Sequence, residues 1–109
     1  MISLEVSLNG KRICIAGAED LGVLNASVSA CGRLGNKTVP ARPGETKSDL
    51  FYSVGGLTSR KDPNKDVHLR WKSISKLRVG DLLQVRIVET DTVSKPKHRE
   101  PARRKPGKS

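Results

Sequence analysis

The stretch ISLEVSLNGKRICIA at the start of the chain constrains the fold more than any other. Ile2, Leu4, Val6 and Leu8 alternate with Ser3, Glu5 and Ser7. Successive side chains of a strand point to opposite faces, so the pattern predicts a strand with one apolar face. Asn9-Gly10 follows directly. A two-residue type I′ turn needs positive φ at both central positions, which Asn and Gly tolerate best. The return run, residues 12–16, places Ile13 and Ile15 on one face and Cys14 and Ala16 on the other. A β-hairpin is the expected opening.

Later stretches repeat the two-residue period. GVLNASVSACG (22–32) reads as a weaker third strand, with a helical turn as the alternative; its small residues suit close approach of another layer. LFYSVGGLTS (50–59) reads as a fourth, with Gly55-Gly56 as a bulge or bend. In DVHLRWKS, Val67, Leu69 and Trp71 share one face, and His68, Arg70 and Lys72 the other. In DLLQVRIVE, Leu83, Val85 and Ile87 are in phase and are expected to face inward. Gly80 and Asp81 set the preceding turn, glycine by tolerating positive φ and aspartate by accepting backbone N–H bonds. Val88 falls beside Arg86 on the opposite face, which suggests partial cover there. No window holds a sustained 3.6-residue apolar period, so no long helix is expected. Six short strands predict a small all-β antiparallel sandwich or barrel.

Two connections are long: RLGNKTVPARPGETKS (33–48) and RKDPNKD (60–66). After Thr92 the composition changes to VSKPKHREPARRKPGKS, with three prolines and Val93 as its one sizeable aliphatic residue. Such a segment buries too little apolar surface to offset chain entropy. The expected organisation is an all-β domain over 1–92 and a disordered, basic, Pro-rich tail over 93–109.

The 109 residues carry a formal net charge of +10, and residues 95–109 hold seven lysines and arginines against Glu100 alone. Such a chain is attracted to nucleic acid, anionic membrane and acidic proteins alike. Nothing approaches the ~20 apolar residues of a membrane span. The start lacks the charged and apolar regions of a signal peptide, so a cytoplasmic location is expected. The sequons at Asn25 and Asn36 are accordingly read as chance matches. Cys14 and Cys31 have no metal-type spacing and are expected as two buried, reduced thiols.

The chain holds few groups suited to chemistry. His68 lies on an exposed strand face and His98 in the tail, each without an orienting partner for acid–base work. Glu89 and Asp91 share the end of the last strand and read as solvated charges. CGRLGNKT fails the phosphate-loop pattern, because Asn36 separates Gly35 from Lys37. Gly32 to Gly35 matches a G-x-x-G clamp in letters but lacks the flanking helices. No catalytic, cofactor-binding, metal or small-molecule site is expected.

HLRWKSISKLRVGDLLQVRIVETDTVSKP (68–96) resembles the C-terminal part of a set of small bacterial proteins with no assigned activity. Those end in a Trp, a leucine, a Val-Gly-Asp turn and an Arg-Ile-Val-Glu strand. The resemblance implies a small bacterial, cytoplasmic domain and supplies no site residues.

The expected function is a non-enzymatic interaction module that binds another protein or itself by pairing at a strand edge. The alternative is nucleic-acid binding through the loops and tail. Arg33, Lys37, Arg42, Lys47, Arg86, Arg103, Arg104 and Lys105 are the candidate contact residues. Single-strand binders need aromatic platforms, and the rings here are Phe51, Tyr52 and Trp71, the last expected in the core. In a simple meander, the loops 33–48 and 60–66 would leave opposite ends of the domain.

Overall fold

The computed structural model describes residues 1–39, 43–44 and 48–102. The chain folds into two antiparallel sheets, with no α-helix among the described residues. Strands β1 (Ile2–Leu8), β2 (Lys11–Ala16) and β6 (Leu83–Glu89) form sheet A in the order β2-β1-β6. Sheet B has the order β3-β4-β5-β7, from β3 (Leu21–Gly32), β4 (Ser48–Thr58), β5 (Val67–Lys76) and β7 (His98–Pro101). A single 3₁₀ turn, Pro63–Lys65, interrupts the link between β4 and β5.

The opening hairpin forms as its alternation predicts. Leu4 pairs with Ala16 and Val6 with Cys14, which brings Val6, Cys14 and Ala16 to the core-facing side. Asn9 and Gly10 adopt φ of 52° and 83°. The turn at Gly80, φ 99°, lies against this one. Asn9 donates from its amide to the Leu82 carbonyl at 2.8 Å and accepts from the Leu82 N–H at its side-chain oxygen, also at 2.8 Å. The Asn9 side-chain amide donates to Asp81 at 3.0 Å, and the Arg78 N–H donates to the same carboxylate at 2.7 Å. Two turns far apart in sequence thus share one hydrogen-bonded cluster.

These bonds, the Asn9 contact first and then the Arg78 amide, hold the Asp81 carboxyl below its ordinary value, helped by the Arg78 charge. A carboxyl depressed on folding adds stability that is complete above the unfolded value and is lost as pH falls through the folded one. The melting-temperature gap between wild type and Asp81→Asn is therefore expected to be widest near neutral pH. It should narrow on acidification below pH ~4. Thermal melts by circular dichroism check this, and a gap that grows in acid would contradict a carboxylate lock.

The core consists of Val6, Cys14 and Ala16 from sheet A against Tyr52, Val54, Leu69 and Trp71 from sheet B. Trp71, 2% exposed, lies at its centre as expected. The Gly55-Gly56 pair coincides with irregular register, which shifts between Tyr52 and Val54 and again between Val54 and Gly55. Gly17 lies so close to Ser3 and Val93 that a β-carbon would overlap the Ser3 hydroxyl.

Sheet A faces sheet B with an offset. β2 packs across from β5 and β1 across from β3, so β6 extends past the β3 edge. This corrects one expectation. Leu83, Val85 and Ile87 do share the face of Leu8, Val6 and Leu4, their register partners. Leu83 packs against the core. Val85 is 44% exposed and Ile87 76%, and the main contacts between the sheets are made by β1 and β2, not by β6. Val88 is half-buried opposite Ser3, on the other face.

The segment assigned by composition to the tail also differs from expectation. Residues 93–102 run along the molecule, and His98–Pro101 adds a seventh strand by pairing with β5. The Ser94 amide donates to the Ile15 carbonyl at 2.8 Å, and the Ile15 amide donates to the Ser94 hydroxyl at 3.0 Å. The Trp71 indole N–H donates to the Ser94 carbonyl at 2.7 Å. Lys97 and Ala102 donate backbone N–H groups to Arg70 and Asp66. Backbone bonds of this kind leave no trace in hydropathy, which is why composition misses the strand. Residues 103–109 lie outside the described residues.

Candidate interaction surface

Among the described residues, the predicted basic contacts Arg33, Lys37 and Arg86 do not all share one element or one loop. Arg33 is half-buried after β3, its guanidinium Nε donating to Thr38 Oγ1 at 3.4 Å, and Lys37 is exposed in the same loop. Arg86 is exposed in the middle of β6, opposite Glu5 on β1 and in the other sheet. Arg42, Lys47, Arg103, Arg104 and Lys105 lie outside the described residues. Ser48 pairs with Gly32 and Thr58 with Leu21, so the loops 33–48 and 60–66 leave opposite ends of β4. The second loop is tied by its own bonds: Asp66 accepts from Thr58 Oγ1 at 2.9 Å and from the Arg60 amide at 2.7 Å. Arg60 is paired with Asp20 at 3.0 Å.

The groups with chemical potential are dispersed. His68 lies exposed on the outer side of β5, facing Glu100 of β7 in register. Glu89 and Asp91 are solvated near the Met1 ammonium, at 3.9 and 3.8 Å. Burial pushes the Cys14 thiol up, with the charges of Lys72 and Lys97 opposing it. The expectation of two buried thiols holds for Cys14 alone: Cys31, near the end of edge strand β3, is exposed, and both are free. Among the described residues, no three His, Cys, Asp or Glu side chains gather as metal ligands would. No helix among them is long and apolar enough to cross a membrane. A shallow groove of 290 Å³ crosses the outer side of sheet B above Gly55, lined by Asn25, Ser53, His68, Arg70 and Lys72 among others.

The strand edges are where the two flanks of the sandwich differ. On the β2 side, residues 93–97 close the gap between the sheets through the Ser94 bonds to Ile15 and Trp71. The outer strand there, β7, is four residues long and ends in Pro101, both features that limit further pairing. Among the described residues, the opposite flank carries the unpaired edges of β6 and β3. β3 has a register irregularity near Leu21 and glycines at 22 and 32. β6 pairs with β1 over seven consecutive residues without a shift, and contains neither proline nor glycine nor lysine. It is the edge with unbroken register, and near it lie Val85, Ile87 and Ile2, the last 67% exposed.

No family model, curated protein or solved structure matches this chain. The surface must therefore be read from its own chemistry. Sequence reasoning placed Val85 and Ile87 correctly on one face but had no signal for how far the opposing sheet reaches. The groove above Gly55 was foreshadowed only by the missing side chains of Gly55-Gly56.

Proposed function

We propose that this protein is a non-enzymatic interaction module that binds another protein by strand pairing on the open flank of the sandwich. The observation that supports this reading is the β6 edge: seven residues, free of bulges, flanked by exposed Val85 and Ile87. An edge strand offers a row of N–H and C=O groups that a second strand can meet, and exposed aliphatic side chains beside it add apolar burial. Two free cysteines suit a reducing compartment, and together with the resemblance of residues 68–96 to small bacterial proteins they support a proposed bacterial, cytoplasmic setting.

The second reading, nucleic-acid binding, draws on the net charge of +10. Against it, Tyr52 and Trp71 are buried, which leaves Phe51 as the one ring available for stacking. The two readings separate in one experiment. Immobilised wild-type protein is expected to retain a protein from a bacterial lysate that Ile87→Lys does not retain, with little change on moderate salt. Nucleic-acid binding would instead appear as a mobility shift of generic DNA or RNA that fades steeply with salt. Equal retention by wild type and variant would remove the β6 flank from consideration. The absence of any shift at low salt would end the nucleic-acid reading.

A further inference from the structure

We infer that the partner of β6 is a second copy of this chain, joined antiparallel about a two-fold axis at Val85. The pairing rests on the interaction role proposed above and adds the identity of the partner.

The geometry starts from the pleat. A two-fold axis normal to a sheet keeps the same face upward in both copies, so each residue must meet one that points to the same side. Centred on Val85, this register sets Leu83 against Ile87 of the second copy, Val85 against its own counterpart, and Gln84 against Arg86. Every apolar residue of Leu83–Ile87 meets an apolar one, and every polar residue a polar one. Shifting the axis to Arg86 would oppose two guanidinium groups, and shifting it to Ile87 would set Glu89 against Val85. Directly opposed like charges destabilise a sheet, and so does a carboxylate placed in an apolar stripe. Of these three registers, the Val85-centred one is the one with no charge or polarity mismatch within Leu83–Ile87.

Charge permits the union despite the basic chain. β6 carries Arg86 and Glu89, one of each sign, so the seam itself adds no net charge. Glu5, the register partner of Arg86 on β1, sits on the same face as that cation. The united sheet would have six strands, β2-β1-β6 continued by its symmetric half. It would bury Val85 and Ile87, the residues that sheet B leaves uncovered. The remaining edges are less suited: β2 is bonded to Ser94, β7 is short and ends in proline, and β3 is irregular near Leu21.

Sedimentation of the full chain over a range of concentrations tests the proposal. Wild type is expected to show a reversible monomer–dimer equilibrium. Val85→Lys opposes two ammonium groups at the axis and should weaken the dimer by about tenfold or more. Ile87→Lys, at a more exposed position, should act in the same direction, with circular dichroism confirming that both variants fold. In a Cys31→Ser background, Val85→Cys should gain a disulfide-linked dimer on mild oxidation, because opposed residues in a ladder bring Cα atoms within disulfide range. A wild type that stays monomeric at the highest concentration overturns the proposal, and so does a dimer unaffected by either lysine. If the monomeric wild type still retains a lysate protein that Ile87→Lys releases, self-pairing fails and the interaction role stands. If it retains nothing, both fail.

Discussion

Trp71→Ala is expected to leave too little stability for a folded protein at ordinary temperature. Trp71 is the largest fully buried side chain, set between Tyr52, Val54 and Leu69 of its own sheet and the small residues Cys14 and Ala16 of the other. Truncating a buried tryptophan costs about 3–5 kcal/mol through lost transfer energy and the cavity left behind. Whole domains of this size hold only about 5–15 kcal/mol. The core here has seven buried apolar residues among those described, so the loss of its largest member removes a large share of that stability. A second loss adds to the first. The indole N–H holds the Ser94 carbonyl at 2.7 Å, and Ser94 in turn caps the β2 edge through Ile15. Trp71→Phe separates the two effects: it keeps most of the ring burial but leaves the Ser94 carbonyl unpaired, at about 1–3 kcal/mol. Urea unfolding followed by circular dichroism reads both variants. A Trp71→Ala protein with the wild-type midpoint would show that the sandwich is held together elsewhere.

Gly56→Ala is expected to be the next most damaging change. A β-carbon at position 56 would lie 2.7 Å from the Val23 carbonyl oxygen and 3.0 Å from a Leu21 methyl group. The nearer atom is backbone, so relief requires β3 to shift relative to β4. Forcing extra volume into a packed contact costs about 1–3 kcal/mol. β3 is an edge strand, so hydrogen exchange should show the loss of protection concentrated over Leu21–Gly32. Gly35→Ala is the control, with nothing near its added carbon and no positive φ to violate. It should stay within about 0.5 kcal/mol of wild type. Equal effects from the two substitutions would mean that the close approach of β3 and β4 is not what glycine provides at 56.

How far the residues announce these features varies with the range of the interaction. Gly55-Gly56 was legible as an irregularity of a strand, yet nothing local indicated that position 56 abuts the Val23 carbonyl. Trp71 was legible as core from its phase with Val67 and Leu69. Its bond to Ser94 was not, because residues 93–96 read by composition as solvated chain. The candidate surface divides in the same way. Arg86 was expected on the outer side of its strand and lies exposed there. Val85 and Ile87 were expected inside, and lie at a margin where apolar phase and burial part company.

The amino-acid order alone determined the local and alternating features: six of the seven strands, the Asn9-Gly10 and Gly80-Asp81 turns, and the core-facing side of β5. These follow from side-chain period and backbone sterics, which act within a few residues. Only the tertiary structure decided that β6 returns to lie beside β1, that 93–102 seals one flank, and that sheet A overhangs sheet B on the other. Those outcomes depend on sheet offset and on hydrogen bonds between residues far apart in sequence, which the pattern within any one segment does not specify. They convert an apparent core strand into the open edge on which the proposed pairing rests.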